Sequence, residues 1–180
     1  RTLVVEEPKL WINLHDDLLV LDSGEYGGAS ERSGFKHLYL YRDDTVMRQL
    51  TSGDWPVDAV LRTTKTHVWY ASGGGNPVER HIWRVPLSGG ASERISKEPG
   101  WHDAIVARDG MSWVDLWESR TQPPRITLRE VDGRVRHVVH ETRETIDLPA
   151  PEIVSFPARD GATLYGMIYK PAKTPAPLIV

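Results

Sequence analysis

The 180-residue chain carries 22 basic and 25 acidic residues for a net charge of −3, with no basic block, which argues against nucleic acid as a partner. It contains no cysteine, so a disulfide framework, a thiolate nucleophile and a cysteine-based zinc site are excluded. Its apolar runs, such as Leu18-Leu19-Val20-Leu21, fall far short of the ~20 residues of a membrane helix, and no membrane segment is expected in this chain.

Residues 1 to 23 read as extended segments around Leu10 to Leu14 and Leu18 to Leu21, joined by the acidic turn His15-Asp16-Asp17. A polar turn at Ser30 to Gly34 then runs into His37-Leu38-Tyr39-Leu40-Tyr41, whose alternation is that of a half-buried strand. A weaker copy, His81-Ile82-Trp83-Arg84-Val85, follows 44 positions on. Leu38, Ile82 and Ile126 are taken as equivalent, in steps of 44 and 44, as are Leu50, Ile95 and Val139, in steps of 45 and 44. Val68 and Trp113 are 45 apart, Trp55 and Trp101 46 apart. Units of about four short strands recurring every ~40 to 50 residues match the blade of a β-propeller. A closed ring needs roughly four to eight blades, so about three blades make an incomplete one.

From Pro149 the pattern changes. Glu152 to Ala158 and Thr163 to Tyr169 flank Arg159-Asp160-Gly161, which predicts a hairpin, and Pro171 to Pro177 leads into the apolar Leu178-Ile179-Val180. The expected architecture is all-β: a partial β-propeller over 1–148, then a linker and the first strands of a second domain over 149–180. Arg1 and the terminal apolar run suggest a piece of a longer protein.

The segments Trp11 to Leu18, Ser30 to Tyr41 and Gln49 to Trp55 resemble the dipeptidyl peptidase IV branch of the prolyl oligopeptidase serine peptidases, and Ser155 to Pro171 resembles the entry to that family's α/β-hydrolase domain. The resemblance implies a propeller of about eight blades over a serine hydrolase that releases Xaa-Pro or Xaa-Ala dipeptides from peptide N-termini. It implies a peptide substrate bound through the full-length protein, possible homo-oligomerisation, and a periplasmic or secreted location. Where relatives place an aromatic before Ser-Glu-Arg, this chain has Gly27-Gly28-Ala29, from which a less tightly packed strand is expected.

Serine hydrolysis on an α/β sheet needs Gly-x-Ser-x-Gly, and the chain has none. Gly28-Ala29-Ser30 and Gly90-Ala91-Ser92 begin correctly but lack the final glycine and are out of step with the repeat. No catalytic residue is expected in this chain, and by the resemblance the triad lies beyond its end. Glu6-Glu7 reads as a solvated turn rather than an anchor for a substrate amine. His137 and His140, at i, i+3, are expected on opposite faces of a strand. His37 and His81 recur with the blade period and read as structural; His15 with Asp16 and Asp17 is the more plausible ligand cluster, which an exposed turn explains equally well. No metal or other cofactor is expected. Trp55, Trp69, Trp83, Trp101 and Trp113 are assigned to the core between blades, whereas Trp11 and Asn13 are substrate-contact candidates by resemblance. Gly73 to Pro77 reads as an ordinary blade connection. The alternatives are a non-catalytic propeller that binds a protein partner, or another member of the same peptidase family such as an oligopeptidase or acylaminoacyl peptidase.

Overall fold

The computed structural model describes residues 5, 11, 13, 15, 17–21, 23–43, 45–142 and 149–170. Among these there is no helix, and hence none long and apolar enough to cross a membrane. The alternating segments form three four-stranded antiparallel sheets, each a meander in chain order. Blade 1 holds β1 (Leu18–Val20), β2 (Tyr26–Ser30), β3 (His37–Arg42) and β4 (Thr45–Gln49). Blade 2 holds β5 (Ala59–Thr63), β6 (His67–Ser72), β7 (His81–Pro86) and β8 (Glu93–Arg94). Blade 3 holds β9 (Trp101–Val106), β10 (Ser112–Glu118), β11 (Arg125–Glu130) and β12 (Val135–Glu141). With β5 and β9 side by side, the first strands of adjacent blades lie as axial strands do in a partial β-propeller.

Strand alternation builds the core between sheets. Along β6, Val68 and Tyr70 face blade 1 and join Leu19, Leu38, Leu40, Leu50, Val57 and Val85 in one cluster. The intervening Trp69 and Ala71 face blade 3 and join Ile82, Ile95, Val106 and Trp113 in the other. Blade 2 is therefore covered on both faces. Leu38 and Ile82 are wholly buried, whereas their equivalent Ile126 is half-buried on the face of blade 3 turned away from blade 2. Ile105 shares that outer face and is 72% exposed.

Four expectations are corrected. Gly27 is packed tightly, not loosely: a Cβ there would stand 2.8 Å from Leu19 Cδ1 and 2.9 Å from Tyr39 O, so neighbouring side chains occupy the space. A bulge in β12 skips Val139 and sets His140 opposite Ile126, which makes His140 the register counterpart of Leu50 and Ile95. The same bulge pairs His137 with Leu128, so His137 and His140 share a face. Trp101 is half-exposed, not core, because it opens the edge strand β9 at the rim of the sheet, where the Arg80 guanidinium lies 5.6 Å from its ring centroid.

After blade 3, β13 (Glu152–Pro157) and β14 (Thr163–Ile168) form the expected hairpin. Gly161 closes its turn at φ +87, a conformation that disfavours a side chain, while Asp160 Oδ1 accepts from Ala162 N–H (3.0 Å). Glu6, Glu7 and residues 171–180 lie outside the described residues.

Candidate functional site

In a meander, alternate turns emerge at opposite ends of the blade. The β6–β7 and β10–β11 connections meet at one end, beside the hairpin, and enclose a cleft of about 970 Å3. Glu79, Trp101, Trp117, Glu118 and Arg120 supply its blade wall, and Met167 and Tyr169 its hairpin wall. Arg120 Nη1 reaches Pro151 O at 3.4 Å, linking blade 3 to the start of the hairpin. Two carboxylates among exposed aromatic surface make this a recess suited to holding a peptide-like ligand.

Behind that wall lies a buried polar network. Glu79 Oε2 accepts from His81 Nε2 (2.8 Å), and His81 Nδ1 meets Ser96 Oγ (3.0 Å), which itself accepts from Ile82 N–H (2.9 Å). The His81 ring lies 5.5 Å from that of His102, which stacks on Trp117 at 6.1 Å. His102 Nδ1 is bonded to Asp115 Oδ1 (2.9 Å) and His102 Nε2 to Glu98 O (2.9 Å). Arg129 Nη2 and Nη1 contact the two oxygens of Glu98 (3.0 and 3.2 Å). Arg129 Nε lies 2.9 Å from Asp115 Oδ2 but aims its hydrogen at Thr127 Oγ1 (3.1 Å), so charge rather than a directed hydrogen bond holds that oxygen.

The partners dictate the hydrogens. A carboxylate and a carbonyl can only accept, so His102 faces an acceptor at each of its ring nitrogens. His81 has a single acceptor-only partner, Glu79, so Nε2 donates and Nδ1 accepts from the Ser96 hydroxyl. Burial pushes His81 below its ordinary value, the Glu79 hydrogen bond opposes this, and the charges of Arg94 and His102 push it down further. Burial pushes the Glu98 carboxyl up, but hydrogen bonds from Arg129 and from its own backbone, with the charges of Arg129 and His102, leave it below the usual carboxylate range.

Ser96, His81 and Glu79 have the order of a hydrolytic triad, but the arrangement is structural. Ser96 is completely buried, and its Oγ is committed to a backbone N–H. The same motif recurs in blade 1: Thr51 Oγ1 accepts from Leu38 N–H (3.0 Å) and meets His37 Nδ1 (3.1 Å), while His37 Nε2 donates to Gly53 O (2.9 Å). Each tethers the connection after a fourth strand to the third strand of its blade. The 44-residue spacing of His37 and His81 reflects that tether.

Trp11 and Asn13 lie apart from the cleft. Trp11 Nε1 donates to Asn13 Oδ1 (3.1 Å), Asn13 Nδ2 donates to Glu31 Oε1 (2.7 Å), and Trp11 remains 75% exposed. Asp17 is a tie between blades: its oxygens accept from Lys36 Nζ (3.0 Å) and Val60 N–H (3.1 Å), and His15 Nδ1 stands 3.8 Å away. No cluster of three metal-ligating side chains occurs among the described residues. Gly73 to Pro77 is a hydrogen-bonded turn covered by Trp83. Sequence reasoning passed over His102, Asp115 and Arg129, although Asp115 between Trp113 and Trp117, on the inward side of an alternating strand, signals a buried charge in need of a partner.

Residues 1–124 match the family model described as the dipeptidyl peptidase IV (DPP IV) N-terminal region. The chain is 25% identical to dipeptidyl peptidase 8 of Mus musculus and 24% identical to that of Homo sapiens. Each alignment covers 92% of this chain and 24% of the relative, so the chain spans about a quarter of the length of the curated relatives it matches. Its fold is similar to the crystal structure of Porphyromonas gingivalis dipeptidyl peptidase 4, with a TM-score of 0.77 and 21% identity over 86% of this chain and 23% of that one. With its blades in the order and spacing described, the chain belongs to the dipeptidyl peptidase IV family as part of its N-terminal β-propeller region.

Proposed function

We propose that this chain is the propeller part of a serine exopeptidase that removes Xaa-Pro or Xaa-Ala dipeptides from peptide N-termini. Residues 1–148 form blades at the C-terminal end of the propeller, and residues 149–180 lead into the α/β-hydrolase domain. The observation that carries this reading is the succession of three blades in a family-matched propeller by a hairpin of different pattern, seated at one end of them beside the cleft. The role of these residues is to position peptides and control their access to a hydrolase site supplied by the rest of the protein. Acyl transfer needs a serine, a histidine base and an oriented carboxylate, and no residue of this chain is assigned to them. Trp11, exposed and bonded to Asn13, offers an apolar face and Asn13 a polar edge to a passing substrate.

The test is hydrolysis of Gly-Pro-nitroanilide by the full-length protein and by the 180-residue chain, side by side, with a serine-directed phosphonate as control. Phosphonate-sensitive cleavage by the full-length protein alone supports the reading. An inert full-length protein identifies a binding propeller and overturns it. Trp11→Ala and Asn13→Ala in the full-length protein are expected to raise KM with kcat little changed, and unchanged kinetics remove these two residues from the substrate path.

A further inference from the structure

At the end of the blades opposite the hairpin, a second cleft of about 880 Å3 lies among the β1–β2, β5–β6, β7–β8 and β9–β10 turns. Its lining comes wholly from blades 1, 2 and 3, so its shape does not depend on the hairpin. Arg48, Lys65 and Arg108, one from each blade, converge on it. Lys65 and Arg108 are exposed and make no hydrogen bond or ion pair among the described residues. Arg48 gives Nη1 to Leu87 O (2.8 Å) and has no acidic partner among them.

Glu25 is the one acidic side chain in the lining, and both its oxygens are occupied, Oε1 by Arg42 Nη2 (2.8 Å) and Oε2 by Ser23 Oγ (3.1 Å). The lining thus carries three cations against one already neutralised acid, in a chain whose net charge is −3. The local sign is the reverse of the whole. Hydroxyls of Thr63 and Ser88 stand in the same lining and can add hydrogen bonds to an anion. A concave site with one sign of charge concentrates ligands of the opposite sign, and guanidinium and ammonium groups bind carboxylate and phosphate oxygens by charge-assisted hydrogen bonds.

We propose that this cleft binds an acidic peptide segment, recognising side-chain carboxylates or phosphate esters through Lys65, Arg108 and the free face of Arg48. Because the lining is spread over three successive blades, the fit is to an extended segment with anionic groups at more than one position rather than to a single ion. Binding here is independent of the peptidase reading, since the cleft stands at the other end of the blades from the hairpin.

The experiment is fluorescence anisotropy on the full-length protein with four fluorescein-labelled peptides of equal length: glutamate-rich, phosphoserine-bearing, serine-glycine and lysine-rich. The two acidic peptides are expected to bind and the other two not, and the better of the acidic pair identifies carboxylate or phosphate as the preferred group. Affinity should fall as salt rises. The double variant Lys65→Glu/Arg108→Glu should weaken binding by about tenfold or more, with the thermal midpoint unchanged because both side chains are exposed and unpaired. Arg159→Glu, in the hairpin turn, should bind as the parent does. Binding that survives the double variant or is matched by the serine-glycine or lysine-rich peptide, or the failure of both acidic peptides to bind, overturns the proposal.

Discussion

The two seams between blades are built from different materials. Between blades 1 and 2 the contact is apolar, with Leu38, Leu40 and Leu50 against Val57, Val68 and Tyr70, and its polar ties, Asp17 with Lys36 and Val60 N–H, lie at its margin. Between blades 2 and 3, Trp69, Ile82 and Trp113 share the space with the wholly buried His102 and Asp115 side chains, which are hydrogen-bonded to each other, and with Arg129. Apolar packing dominates the first seam. The second also depends on every charge keeping its partner, because a buried ion without one retains its desolvation penalty.

The largest expected effect follows from that dependence. Asp115→Ala strips His102 Nδ1 of its buried partner and leaves the buried Arg129 with Glu98 as its one carboxylate, and stability should fall by about 3–5 kcal/mol, measured by denaturant unfolding. A loss of less than about 1 kcal/mol would place the network in contact with solvent and remove the distinction between the seams. In the first seam, Leu38→Ala should cost about 2–5 kcal/mol with no dependence on pH, as a cavity does. Its blade 3 equivalent gives the contrast within one sequence repeat: Ile126→Ala, half-buried on the outer face, should cost about 1 kcal/mol or less in the 180-residue chain. Equal losses at Leu38 and Ile126 would show that the outer face of blade 3 is covered, for instance by self-association of the chain, which sedimentation would detect.

A smaller effect distinguishes the seams by pH. The folded-state value of His81 lies below that of the unfolded chain, so the unfolded chain binds more protons between the two values. The stability gained by keeping His81 neutral is complete above the ordinary histidine value of 6.5 and is lost as pH falls below it. The thermal midpoint should therefore decline below about pH 6.5, and His81→Gln should flatten that decline. An unaltered pH profile in the variant would assign the acid sensitivity to other groups, Glu98 first among them, since its lowered value also makes it a source of stability that acid removes.

Much of the fold was legible because its contacts are local. A meander pairs each strand with its sequence neighbour, so alternation, turn residues and a 44-residue step carry the blades, and Leu38, Ile82 and the hairpin at Asp160-Gly161 fall where the pattern places them. The cleft beside the hairpin was not legible. Its walls come from turns far apart in the chain, and no residue type at Glu79, Trp117 or Tyr169 announces that the three line one recess.

The sequence by itself determined the all-β class, the three repeats and the family, since these depend on the local period of side chains and on residues that recur in order. Tertiary structure alone decided which repeat positions became core, because burial depends on a neighbouring blade: Trp69 and Trp113 have one on their face, Ile126 lies on the face turned away from blade 2, and Trp101, beside Arg80 of blade 2, stands at the open rim of the cleft. It also decided the register of β12, where one bulge moved His140 into the place assigned to Val139, and the meaning of Gly27, whose missing side chain is filled by Leu19 and Leu40. The charges of Asp115 and Arg129 were plain in the sequence, but their roles were set by distance, and distance across a seam belongs to the packed blades alone.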